Sequence, residues 1–115
     1  YFSLIDARRM EVYASLFNSN MSPLFENKPL ILDQFDILDY IPGHSLVFMA
    51  GNGSEKAIST LTGAEYINTK IKCHSENLIS SAYVKYIDND FSDIAYFSPN
   101  YIKPPNITMP KYKLM

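Results

Sequence analysis

Residues 45–61, SLVFMAGNGSEKAISTL, carry the reading on which the fold turns. The run 45–50 (SLVFMA) is apolar and of strand length, and Gly51-Asn52-Gly53-Ser54 is the strongest turn signal in the chain. Beyond it, Ala57, Ser59 and Leu61 alternate with Ile58 and Thr60. Strand, glycine turn and alternation together predict a β-hairpin, with Gly63 interrupting or ending the second strand. The turn lacks the Lys-Ser/Thr pair and, on this reading, the following helix that a phosphate cradle needs.

Downstream, 64–71 suits a short helix or a continuing strand. The segment 78–87 (LISSAYVKYI), the turn cluster Asp88-Asn89-Asp90 and the run 94–97 (IAYF) predict a second hairpin, with a helix over 75–86 as the rival. Pro99, Pro104, Pro105 and Pro110 make 99–115 an extended or polyproline-like tail lying on the domain or on a partner. Upstream, 1–19 reads as a helix. Ile5, Val12 and Leu16 fall on one line, with Met10, Tyr13, Ala14 and Phe17 beside it, and Asp6, Arg9 and Ser15 on the wetter side. Asn18, Ser19 and Asn20 close it. Pro23 and Pro29 mark 21–32 as a connector. A short helix follows, N-capped by Asp33, with Phe35, Ile37, Leu38 and Ile41 as its apolar face and Pro42-Gly43 as its stop. The expectation is an α+β domain over 1–98: a small antiparallel sheet with an N-terminal helix and a short second helix packed on it.

Composition bounds the function. A chain of 115 residues fits one domain, and 47% hydrophobic against 19% charged residues suits a packed core. A net charge of −2 lacks the basic balance of a nucleic-acid binder. One cysteine forms no internal disulfide, no apolar run reaches the roughly 20 residues of a membrane span, and Asp6, Arg8, Arg9 and Glu11 interrupt any signal-peptide layout. These point to a cytoplasmic domain with neither a nucleic-acid nor a membrane partner. Three glycosylation triplets, at Asn20, Asn52 and Asn106, argue the other way.

Groups for chemistry are few. Cys73 and His74 are neighbours, so on a strand their side chains point apart, and they fall short of the four ligands of structural zinc. Asp33, Asp36 and Asp39 lie along one side of the expected helix and read as a solvated face. Asp88, Asn89, Asp90 and Asp93 lack the central Gly and terminal Glu of a calcium loop. Lys103, Lys111 and Lys113, with Tyr101 and Tyr112 interleaved, make the tail mildly basic. No catalytic residue, metal site or cofactor is assigned. Were haem bound, His44 or His74 would be its ligand.

The stretch 36–67 resembles the PAS-like sensory domains of bacterial signalling proteins. The resemblance rests on Asp36-Ile37-Leu38-Asp39-Tyr40-Ile41-Pro42, the strand Leu46-Val47-Phe48-Met49, the turn at Gly51 to Ser54, and Leu61-Thr62-Gly63-Ala64-Glu65. It implies a sensory, ligand-binding or protein-interaction module in signal transduction or transcriptional regulation. Phe48, Tyr66 and Phe97 are the residues to line a small-molecule pocket, and the N-terminal helix is the surface for a protein partner or homodimer. Residues 1–17 also look like the first helix of cone-shaped domains related to nuclear transport factor 2. That resemblance implies a small α+β enzyme or binding domain, with Asp36 or Asp39 and His44 as acid–base candidates. A viral or surface structural protein is the third class.

Overall fold

A computed structural model of the chain describes residues 1–105. The stretch expected as an N-terminal helix is two strands, β1 (Phe2–Asp6) and β2 (Glu11–Phe17), paired antiparallel from Phe2 opposite Leu16 to Asp6 opposite Val12. The reason is periodicity. Phe2 and Leu4, and then Val12, Ala14 and Leu16, recur at every second position, and all five are buried. The three- and four-residue spacings in this stretch bridge two strands and a turn. That turn, at residues 7–10, contains no Gly, Pro, Asn or Asp. Arg8 and Arg9 take left-handed backbone, with φ of 73° and 49°, a conformation uncommon for arginine. The sequence therefore hides its first hairpin.

Asn18 closes the next turn rather than a helix: its Oδ1 accepts from the amides of Asn20 and Ser22. Strand β3 (Pro23–Ile31) then pairs antiparallel with β2. Pro23 and Pro29 are tolerated because β3 lies at the sheet edge. The short second helix shrinks to two 3-10 turns, Leu32–Gln34 and Ile37–Asp39, separated by the extended residues Phe35 and Asp36. Asp36, not Asp33, supplies the side-chain cap, accepting from the Leu38 amide at 2.9 Å.

Strand β4 (Leu46–Ala50) forms where the apolar run stands, but the glycine turn makes no hairpin. It leads into helix α1 (Ser54–Thr60), which returns the chain to β5 (Glu65–Asn68), parallel to β4. Glu55, Lys56 and Ala57 are helix formers, and Ala57 and Leu61, four residues apart, are both buried. Glycine is required here because the loop crosses the backbone of β1. A Cβ on Gly51, whose φ is +100°, would lie 2.0 Å from the Leu4 carbonyl oxygen, while the Gly53 amide donates to that oxygen at 3.1 Å.

The expected antiparallel α+β arrangement with its leading helix is therefore replaced by a five-stranded mixed sheet, in the order β3-β2-β1-β4-β5. β1, β4 and β5 are mutually parallel, and the sheet is joined by two short helices. The core lies on one face, where Phe2, Leu4, Leu16 and Met49 meet Leu32, Ile37 and Ala57. Each fully buried large side chain contributes about 1.5–3 kcal/mol of hydrophobic stabilisation.

The second hairpin is also replaced. Residues 75–87 form one helical segment, a 3-10 turn (Ser75–Leu78) running into α2 (Ile79–Ile87), close to the rival reading of 75–86. Ile79, Tyr83, Tyr86 and Ile87 repeat at four, three and one, a helical stripe. Residues 94–97 are a turn in which Asp93 accepts from the Ala95 and Phe97 amides. Lys111, Tyr112, Lys113 and the Asn106 triplet of the expected tail lie outside the described residues. Among the described residues, no helix is long and apolar enough to cross a membrane.

Candidate interaction surface

Strand alternation that buries one sheet face must present the other, and here that second face is apolar. Phe2 stands opposite both Leu16 and Met49, so the neighbouring positions Phe17, Tyr1 and Phe48 line up across the outer face, and Phe48 stands opposite Ile67. Tyr1 and Phe48 stack with ring centroids 5.8 Å apart. Beside this belt runs a row of small residues, Ser15, Ser3 and Ala50, and beyond it Tyr13 and Ile5. Phe48 is 37% exposed, Ile67 40% and Ile5 47%. The β1–β2–β3 end of this trough is a cavity of about 340 Å³ whose lining includes Ser3, Ser15 and the chain's own Tyr101 and Ile102. Lys103 anchors that tail segment by pairing with Glu11, which holds the lysine above its ordinary range. The β4–β5 end carries no such cover among the described residues.

At the carboxyl edge of the parallel strands, a network fixes the arginine turn. Lys56 on α1 pairs with the Asp6 carboxylate, and its Nζ donates to the Arg9 and Glu11 carbonyls at 2.8 Å each. Asn52 Oδ1 accepts from the Asp6 amide at 2.9 Å. The Lys56 hydrogen bond, ahead of the one from the Arg8 amide, pulls the Asp6 carboxyl below its ordinary range. Three elements thus hold a turn with two left-handed residues, while Arg8 and Arg9 are exposed and form no ion pair among the described residues.

The third part is an arm. Both its ends are tied to the sheet, one through the Ile71 carbonyl, which accepts from the Gly51 amide at 2.8 Å, the other through Lys103. Every residue from 70 to 105 is exposed, α2 included. Tyr83 is 63% exposed, Tyr86 67% and Phe91 62%. The arm's own contacts are local: Lys85 pairs with Asp90 at 2.6 Å, and Tyr86 meets Phe91 edge-on at 5.9 Å. Its separation shows in the radius of gyration, 17.8 Å, against roughly 13 Å for a compact 100-residue domain.

The residues expected to line one pocket are not brought together. Phe48 is on the outer face, Tyr66 packs against the core on the opposite face, and Phe97 lies on the arm, 71% exposed. Burial, and then the Asp36 charge, push the Tyr66 phenol up, and its hydroxyl donates to the Thr62 carbonyl at 2.8 Å. The partner surface assigned to an N-terminal helix has no helix to carry it. His44, with φ of 66°, is exposed in the loop before β4, Asp36 is spent on its cap, and Asp39 is exposed. Among the described residues, no group of three His, Cys, Asp or Glu side chains could hold a metal ion. At the Asn52 glycosylation triplet, Ser54 is buried and the Asn52 side-chain oxygen holds β1 by accepting from the Asp6 amide. Asn20 stands in the exposed β2–β3 turn.

The chain matches no protein-family model, no curated protein and no solved structure.

Proposed function

We propose that this chain is a protein-interaction module in which the sheet body displays the arm and the apolar outer face to a protein partner. The observation that carries the reading is an apolar helical stripe on α2 combined with the absence of any buried residue along it. A helix of this length is marginal in water by itself, since isolated helices below about 12–15 residues gain too little to offset nucleation. The helix needs a surface, and its own body covers none of it. Exposed apolar surface on this scale, with aromatic side chains prominent, is what interfaces use. The exposed thiol of Cys73, at the root of the arm, accords with a reducing, cytoplasmic setting.

Hydrogen exchange on the dilute monomer tests the reading. Amides of residues 79–87 are expected to exchange with little protection while those of β1, β2 and β4 are slow. Slow exchange throughout α2 in a monomer would show the helix packed on its own sheet and remove the interaction role.

A further inference from the structure

We propose that the occupant of the apolar sheet face is α2 of a second copy of this chain, the two copies exchanging arms reciprocally. The inference rests on the interaction reading above and names the partner. Its first support is steric. The belt of Phe17, Tyr1, Phe48 and Ile67, the small residues Ser3 and Ala50, and then Ile5 form a ridge, a dip and a second ridge along β1. Phe48 and Ile5 lie four residues apart in register, about 13 Å at strand rise, and Ile79 to Tyr86 spans about 10 Å at helix rise. Ile79 therefore sits over the belt, Tyr83 over the dip and Tyr86 near Ile5, displacing the receiving chain's own Tyr101 and Ile102 from the cavity over Ser3 and Ile5.

Charge sets the direction and thereby the copy. Asp88, Asp90 and Asp93 follow the carboxyl end of α2, where the helix dipole already disfavours anions, and Lys85 answers Asp90 alone. Arg8 and Arg9 stand exposed at the carboxyl edge of β1. Laid with its acids at these arginines, α2 runs in the same direction as β1. A chain's own arm cannot lie this way. The Ile71 carbonyl is tied to Gly51, level with Leu4, and residues 72–74 reach at most about 14 Å before the helical segment begins at Ser75. That is short of the roughly 16 Å along β1 at which Ser75 must start if Ile79 is to sit over the belt. Folded on its own sheet, α2 would start beside the arginines and carry its acids away from them. A second copy has no such tether.

Size is sufficient. With aromatic side chains burying about 150 Å² or more each, Tyr83, Tyr86 and Phe91 with the two isoleucines bury roughly 500 Å² of each arm. A similar area of sheet and two arms give about 2,000 Å², above the roughly 1,200 Å² of a small stable interface. Reciprocal exchange closes the assembly with two-fold symmetry.

Sedimentation equilibrium of the full chain, with a charge-reversal exchange, tests this. The wild-type chain is expected to dimerise between about 1 and 100 μM. Arg8→Asp/Arg9→Asp and Asp88→Lys/Asp90→Lys are each expected to weaken self-association tenfold or more. Aspartate is among the residues that accept left-handed backbone, so the first variant keeps its turn. Mixed, the two variants are complementary at both contacts, and the heterodimer is expected to return to wild-type affinity. A wild-type chain that stays monomeric through that range overturns the second copy. Rapid exchange over 79–87 in that monomer leaves the interaction role standing, and slow exchange removes both. Dimers indifferent to both reversals also overturn the proposed docking.

Discussion

Replacing Gly51 by Ala would damage the sheet at its most crowded backbone crossing. The new Cβ would lie 2.0 Å from the Leu4 carbonyl oxygen, an atom of β1 that cannot swing aside as a side-chain end could. Left-handed backbone costs a residue with a Cβ about 1–2 kcal/mol, and overpacking a filled site about 1–3 kcal/mol. Backing the loop away strains two hydrogen bonds, Gly53 to Leu4 at 3.1 Å and Gly51 to Ile71 at 2.8 Å, each worth about 1 kcal/mol net. The expected loss is about 3–5 kcal/mol, a large part of the roughly 5–15 kcal/mol that holds a domain together. Urea unfolding followed by circular dichroism reads it, since the chain has nine tyrosines and no tryptophan. Gly43→Ala is the control. A Cβ there meets nothing within 4 Å, so the expected change is within about 0.5 kcal/mol. Gly51→Ala and Gly43→Ala unfolding at the same midpoint would refute the backbone crossing.

Lys56→Met is expected to speed amide exchange over residues 7–11 and to return the Asp6 carboxyl toward its ordinary 3.8, measured by NMR titration. Because the folded-state value is depressed, the stabilisation from Asp6 is complete above 3.8 and is lost as pH falls through the lowered value; Lys56→Met should flatten that acid limb. Tyr66 behaves in the opposite sense. Its raised value means that the contribution is present below 10.0 and is lost as pH climbs through the folded value, and Tyr66→Phe should remove that alkaline dependence while losing about 1 kcal/mol of hydrogen bonding at neutral pH.

What the sequence makes legible follows the distinctness of each periodicity. Residues 46–50 are a strand by composition alone, and a strand forms there. Residues 1–17 defeat the same approach because Ile5, Val12 and Leu16 fit a helical line, while Phe2, Leu4, Val12, Ala14 and Leu16 fit two strands. The deciding feature, a turn at Arg8-Arg9, is held from outside by Lys56 some 50 residues away in sequence, and tertiary support of that kind leaves no local mark. Gly51 and Gly53 are legible as special backbone but not as to purpose, since close approach to another strand and a two-residue hairpin both call for glycine. In the helix that follows, Ala57 and Leu61 serve a four-residue step and a two-residue alternation alike, and the parallel return to β5 decides between them.

The proposed interaction surface is hidden by a related degeneracy. A high apolar fraction reads as core, yet Leu78, Ile79, Tyr83, Val84, Tyr86, Ile87 and Phe91 all lie outside the core that Phe2, Leu4 and Met49 build. Burial within a chain and burial between chains use the same side chains for the same energetic reason, so hydrophobicity cannot separate them. Charge order can. Asp88 ends α2 where acids are least favourable, with Asp90 and Asp93 following, and Arg8 and Arg9 occupy backbone that arginine rarely takes. Asp88 and the two arginines depart from what local stability would select. Both departures become favourable together when the acidic end of α2 lies against the arginine turn, a meeting that the tether at Ile71 denies to a chain acting on itself.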